Sequence, residues 1–184
     1  GRRAGVITTR VLELEPSHLA AVEALERIFQ GADRYEELSA VLQQRAELLG
    51  DFDAQKEALM SSARIEEEVL GRVDNAVAVY QRVLETDAED LSALDALIKL
   101  YLGQEKWGEL LEIQSRKADL VYDADERKRI YYQMGAVYEE QLRDVQKSID
   151  TYQRVLEIDP DDQELLIALF RALLRPDAED AEEP

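Results

Sequence analysis

A single histidine and the absence of cysteine limit the chemistry that this chain could perform. His18 lies just after Pro16 and Ser17, where a helix is expected to start, and the chain contains no second histidine. Metal sites and acid–base catalysis recruit several converging groups. Without cysteine, disulfides, thiolate nucleophiles and thiolate metal sites are excluded. We therefore expect no metal and no cofactor, and a structural role for His18.

The carboxylates, the other reactive groups of the chain, form no catalytic or calcium-binding motif. The run Asp159-Pro160-Asp161-Asp162 lacks the alternating acids, the central glycine and the closing glutamate of a calcium loop. Its acids are expected to end one helix and cap the next. The eight glycines are scattered singly, so neither a phosphate loop nor a nucleophile elbow is present. The sequence predicts a protein without enzymatic activity.

The charge of the chain narrows the classes of partner. Forty-one acidic and 22 basic residues give a formal net charge of -19. Nucleic acid and anionic membranes would be repelled at long range, whereas a basic peptide or protein would be attracted. The alternative is that acidic helix faces only keep a repeat protein in solution. No secretory signal is visible, and the compartment is left open with the cytoplasm favoured.

Apolar residues recur at helical spacing along almost the whole chain, and no segment alternates like a strand. Glycines and prolines fall at the ends of these segments. The pattern predicts about ten short helices. They are expected near residues 6–14, 17–30, 33–49, 53–70, 74–86, 90–103, 105–121, 124–142, 145–158 and 161–175.

An internal repeat organises these helices. Residues 80–87 (Tyr-Gln-Arg-Val-Leu-Glu-x-Asp) return at 152–159, 72 positions later, and a partial copy occupies 10–13. Each 72-residue period contains four predicted helices, which indicates two helix-turn-helix units of about 36 residues. Such units bury their apolar faces against each other, so the product of the fold is surface rather than one catalytic cavity.

One unit also carries a recognisable motif. Residues 131–160 contain aromatic, apolar and small residues at fixed spacing: Tyr131, Met134, Gly135, Tyr138, Ser148, Tyr152 and Pro160. This pattern resembles a tetratricopeptide repeat, with one additional residue between its two helices. The resemblance implies an all-α, right-handed superhelix (solenoid) of about ten antiparallel helices. It also implies that Tyr138 and Tyr152 fill the interface beside Gly135.

The resemblance further implies where a partner would bind, because the first helix of each tetratricopeptide pair lines a concave groove. The implied groove residues are Met60, Arg64, Glu67, Arg129, Tyr132, Gln133, Ala136 and Glu139, with Glu57, Ser61, Glu68 and Glu140 beside them. Tyr132 and Met60 are the candidate apolar anchors. The alternative for both is partial burial between helices.

We expect residues 1–176 to form one helical repeat domain, as part of a longer array, followed by a disordered acidic tail at 177–184. The expected function is a scaffold that binds a protein or peptide on the concave face. Two alternatives stay open. The exposed end helices could pair two chains as a self-associating spacer, or the domain could regulate a larger multidomain protein.

Overall fold

The structure, a computed structural model, describes residues 18–162 together with Leu165, Ile167, Leu169 and Phe170. All regular structure in that part of the chain is helical, which confirms the all-α prediction. The helices are α1 (Leu19–Gln30), α2 (Tyr35–Leu48), α3 (Phe52–Arg64), α4 (Val73–Thr86), α5 (Leu91–Gly103), α6 (Trp107–Leu120), α7 (Ala124–Ala136) and α8 (Val145–Ile158).

These eight helices match eight of the ten predicted segments to within a few residues. The predicted helix at 6–14 and the tail at 177–184 lie outside the described residues. Of the predicted helix at 161–175, the structure describes four helical positions, and Leu165 among them is fully buried. The chain divides into two compact units between Leu100 and Tyr101. The single repeat domain over 1–176 stays a prediction.

In the first unit, consecutive helices pack antiparallel: α1 on α2, α2 on α3 and α3 on α4. Val22, Leu25 and Phe29 are three and four positions apart on α1, so they form one apolar stripe. Leu38 and Leu42 of α2 meet that stripe. Burial of such stripes is what holds short helices that would not persist alone in water.

In the second unit, α7 packs along α8 and also contacts α6. Its core contains Leu111, Tyr131 and Met134, with Tyr152 and Val155 from α8. Tyr152 is 3% exposed, and its counterpart Tyr80 in the first unit is 2% exposed. The expectation that this aromatic position fills the space between two helices is confirmed in both copies.

Two π-helical turns, Ile65–Val69 and Val137–Gln141, extend α3 and α7. They are closed by bonds from the Leu70 and Leu142 N–H groups to the carbonyl groups of Ile65 and Val137, five residues back. A π turn contains one residue more than an α turn. The additional residue noticed between the two helices of the motif is therefore accommodated inside the first helix.

The connections inside the pairs are formed by residues in the left-handed region. Gly71 has φ 64°, and Arg143, 72 positions later, has φ 53°. Asp33 and Glu105 form a second such pair, at φ 54° and 55°. The 72-residue period therefore extends to individual backbone angles.

Candidate functional site

The implied groove residues lie on α3 and α7, the first helices of their pairs. On α7, Arg129, Gln133 and Ala136 are four and three positions apart, so they share one side of the helix. Arg129 and Gln133 are exposed, and Ala136 is half-buried. On α3, Arg64 is exposed and Met60 half-buried. These are the accessible members of the predicted set, three on α7 and two on α3.

Tyr132 is held by its own chain. It is half-buried, and its hydroxyl donates to Asp162 Oδ1 at 2.6 Å. Its ring centroid is 6.0 Å from that of Tyr152, with the ring planes tilted by 55°. Tyr132 thus contributes to packing between helices, the alternative considered for it above, and presents only part of its surface to a partner.

Glu67 and Glu139 are also engaged internally. Glu139 is 4% exposed and accepts a hydrogen bond from the Tyr152 hydroxyl at 3.2 Å. Burial, together with the charge of Glu139, raises the pKa of Tyr152 to about 12. Glu67 accepts from the Tyr80 hydroxyl at 2.9 Å and from Lys99 Nζ at 2.7 Å. The sequence pattern placed both carboxylates at the surface, whereas the structure uses them to satisfy the buried tyrosine hydroxyls.

A lysine clamp recurs in each period. Lys128 Nζ lies 2.9 Å from Asp159 Oδ2 and 3.0 Å from Asp162 Oδ2. One period earlier, Lys56 bridges Asp87 and Asp90 at 2.8 and 3.2 Å. Each clamp joins the first helix of a pair to the turn that follows the second. Helical spacing does not predict this clamp, although the lysine and both acids recur at a spacing of 72.

The surroundings of Asp162, one of the acids of this clamp, lower its pKa. Burial alone would raise its pKa, but hydrogen bonds from the Tyr132 hydroxyl, the Leu165 N–H and Lys128 outweigh burial and lower the pKa to about 2. The bond from Leu165 N to Asp162 Oδ1 is 3.0 Å. Asp162 therefore caps the next helix, as expected of this acidic run.

The first unit contains a buried polar cluster formed by Ser39, Ser62 and Glu66, with the exposed Asn75 at its edge. The Ser39 hydroxyl donates to Glu66 Oε1 at 2.5 Å and lies 2.9 Å from the Ser62 hydroxyl. Asn75 Nδ2 donates to Glu66 Oε2 at 3.2 Å. The residues 72 positions after Ser39, Ser62 and Glu66 are Leu111, Met134 and Tyr138. The same interface is thus polar in one copy and apolar in the other.

In the second unit a cleft of about 580 Å³ opens at this interface, beside α6 and the π turn of α7. Leu111 and Met134 form its buried floor. Tyr138 and Leu142 form one wall, and Lys147 stands at the mouth, 5.8 Å from the Tyr138 ring centroid. The opposite wall is a row on α6 at helical spacing: Gly108, Glu112, Ser115 and Asp119, with Arg116 beside it.

His18 caps α1, because its Nδ1 accepts the Ala21 N–H at 3.3 Å. No cluster of acids and histidine that could hold a metal ion occurs among the described residues. No helix in the described part of the chain is long and apolar enough to cross a membrane.

Two segments of the chain match family models described as tetratricopeptide repeat, at residues 57–89 and 128–162. They correspond to the pairs α3–α4 and α7–α8, which carry the π turns and lysine clamps. No curated protein matches the chain.

Several solved structures are similar to it. YrrB, described as a TPR protein with an unusual peptide-binding site, shares 17% identity at a TM-score of 0.47, over 91% of this chain and 82% of YrrB. MamA from Desulfovibrio magneticus RS-1 shares 20% identity at a TM-score of 0.47, over 89% of this chain and 88% of MamA. TTC0263, a thermophilic TPR protein from Thermus thermophilus, shares 16% identity at a TM-score of 0.41, over 93% of this chain and 89% of TTC0263.

Proposed function

We propose that this chain, which contains tetratricopeptide repeats, is a protein-interaction scaffold in which the accessible side of α3 in the first unit, or of α7 in the second, binds a peptide or helix. Tetratricopeptide repeats are typically non-enzymatic binding modules, and that coarse role follows from the two matched segments. The observation that carries the finer proposal is the set of accessible side chains at helical spacing on the first helix of each pair: Met60 and Arg64 on α3, then Arg129, Gln133 and Ala136 on α7.

The charge around these side chains favours a basic partner. Glu57, Glu68 and Glu140, which belong to the predicted groove set, are exposed, and the whole chain carries -19. Opposite charge raises the rate of encounter and excludes acidic competitors. Met60 supplies an adaptable apolar contact. Glu139 is left out of the proposed surface because it is buried, and Tyr132 contributes only its exposed edge.

Affinity capture followed by titration calorimetry tests this proposal. Proteins retained by the immobilised chain would be identified, and the affinity of each for purified variants measured. We expect Met60→Ala to weaken a ligand of the α3 surface about tenfold or more, and Gln133→Ala to do the same for a ligand of the α7 surface. Gln153→Ala, an exposed glutamine on α8, is the matched control. The proposal would be overturned if Met60→Ala and Gln133→Ala both bound with the same affinity as Gln153→Ala.

A second candidate function, self-association, rests on one observation. Ile167 and Phe170 are 61% and 65% exposed and lie three helical positions apart beyond α8, so they form an exposed apolar face. Two chains could pair through such faces. Light scattering at rising concentration tests it: we expect a dimer that Phe170→Ser abolishes, whereas a strict monomer would overturn this candidate.

A further inference from the structure

We propose that the cleft between α6 and α7 is a second partner site, which receives a basic amphipathic helix of another protein. The cleft lies on the other side of α7 from the proposed groove. Met134 lines the cleft, while Ala136, two positions later, belongs to the groove, and two positions rotate a helix by about 200°. This inference does not rest on the groove being occupied.

The chain's own first copy shows what the α6 row is suited to bind. In the first unit the row at the same positions is Glu36, Ala40, Gln43 and Glu47. Two arginines from the following helix pair cover it. Arg72 is paired with Glu36, and Arg82 donates to Gln43 Oε1 at 2.9 Å and to Glu47 Oε1 at 3.1 Å. The chain thus places guanidinium groups on this row.

In the second copy both covering groups are lost. The position of Arg72 is taken by Asp144, which caps α8 and pairs with Lys147. Arg154, the counterpart of Arg82, turns away and lies 5.9 Å from the Tyr131 ring centroid. Glycine and serine replace Glu36 and Gln43, and acids stand at 112 and 119. The row on α2 is covered by arginines of the same chain, whereas the equivalent row on α6 is open.

The exposed row again carries two acids, Glu112 at the position of Ala40 and Asp119 at that of Glu47, while Arg116 replaces Gln44 beside them and Lys147 also lines the cleft. Glu112 and Asp119 are exposed, and no ion pair joins either of them to another residue in the described part of the chain. They are seven positions apart, or about 10 Å along the helix. Gly108 and Ser115 leave space between and beside them. Arginines seven positions apart on a partner helix would match this spacing.

The apolar residues of the cleft indicate which other side chains the partner helix should carry. Leu111 and Met134 lie at the bottom of the cleft, and Leu142 is 43% exposed at its wall. A leucine or phenylalanine between the two arginines of the partner would enter here, giving the helix-in-groove arrangement of apolar anchors flanked by charge. The cleft volume of about 580 Å³ accommodates one or two such side chains.

The test uses the full chain and a synthetic helical peptide of about 15 residues, with two arginines seven positions apart and two leucines between them. Fluorescence anisotropy measures its affinity. We expect Glu112→Lys with Asp119→Lys to weaken binding at least about tenfold. The control, Glu85→Lys with Glu157→Lys, changes the net charge equally at exposed, equivalent positions of α4 and α8, and should bind like the original chain.

Two further arms separate the site from general charge attraction. A peptide with glutamine in place of both arginines should bind at least about tenfold more weakly, and Leu142→Ser should weaken the basic peptide several-fold. A thermal melt of each variant confirms that it is folded. Equal affinities for the two charge-reversed variants, or no binding to the original chain at about 1 mM peptide, would overturn the proposal.

Discussion

Gly135 lies directly against the ring of Tyr152, so closely that a Cβ atom at position 135 would be 2.2 Å from Cε1 of the tyrosine. The ring cannot withdraw easily, because Tyr152 is 3% exposed and its hydroxyl is held by Glu139. The first copy has Ala63 and Tyr80 at these positions. The close packing of the two helices in the second pair therefore depends on glycine at position 135, which has no side chain.

Gly135→Ala should destabilise the protein by about 1–3 kcal/mol, because the added methyl group overpacks the interface. Gly108→Ala is the matched control. Gly108 is also helical, but nothing lies within 4 Å of the added atom, so this change should be neutral or stabilise by up to about 1 kcal/mol. Urea unfolding of both variants measures the difference. Equal free energies of unfolding would contradict the close packing.

Acid should weaken the protein through Asp162. Its pKa is about 2 when folded and 3.8 in the reference state, so the folded protein binds fewer protons between these values. The stabilisation is present above pH 3.8 and is lost as the pH falls through about 2. Because solvent screens this partly accessible group, we expect Asp162 to contribute about 1 kcal/mol to the free energy of unfolding above pH 3.8.

Asp162→Asn removes this titration while keeping an oxygen that can accept the Leu165 N–H. Urea titrations at a series of pH values should show a shallower loss of stability below pH 4 in the variant. Parallel curves for the two proteins would show that another group controls acid unfolding.

The turns after the two π segments offer a paired test of backbone strain. Arg143 adopts φ 53°, which costs a non-glycine residue about 1 kcal/mol, whereas its counterpart Gly71 at φ 64° avoids that cost. We expect Arg143→Gly to stabilise the protein by up to about 1 kcal/mol and Gly71→Ala to destabilise it by about 1 kcal/mol. Thermal melts of the two variants should move in opposite directions, and shifts of the same sign would contradict this explanation.

The polar cluster of the first unit should be sensitive to loss of one member. Ser39→Ala removes the 2.5 Å hydrogen bond to buried Glu66 and the contact with Ser62. Leaving a buried carboxylate with fewer donors costs about 1–3 kcal/mol. Ser115→Ala, at an exposed position of α6, should change the free energy of unfolding by less than about 0.5 kcal/mol. Chemical denaturation compares them, and a similarly small effect at Ser39 would show that water replaces the lost donor.

Sequence periodicity predicted the helices well because every pair repeats the same apolar spacing, as in Val22, Leu25 and Phe29 of α1. It was less informative for the site. Helical spacing assigns a face to Glu139 and Tyr132, but it does not indicate that a tyrosine hydroxyl lies within hydrogen-bonding distance. Those contacts join residues 13 and 30 positions apart. They depend on how one helix is placed on the next, which single-chain periodicity leaves open.

The differences between the two copies of the repeat are the sequence feature that best indicates the cleft beside α6. Comparing the two 72-residue periods position by position shows that Glu36 is replaced by Gly108 and Arg72 by Asp144. Gly108 lines the cleft, and Asp144 cannot replace the arginine that covers the row in the first copy, although the sequence alone could not show that the space opens rather than closes.

The π turns have a consequence for protein engineering. Because Ile65–Val69 and Val137–Gln141 each contain one residue more than an α turn, deleting that residue to match a consensus repeat of about 34 residues would rotate the part of the chain that follows by about 100°. In the second pair, that rotation would carry Tyr138 away from the Lys147 ammonium that lies over its ring. A chimaera built from this chain should therefore exchange whole helix pairs at the turns that precede α3 and α7, and keep the five-residue π segment with its own pair.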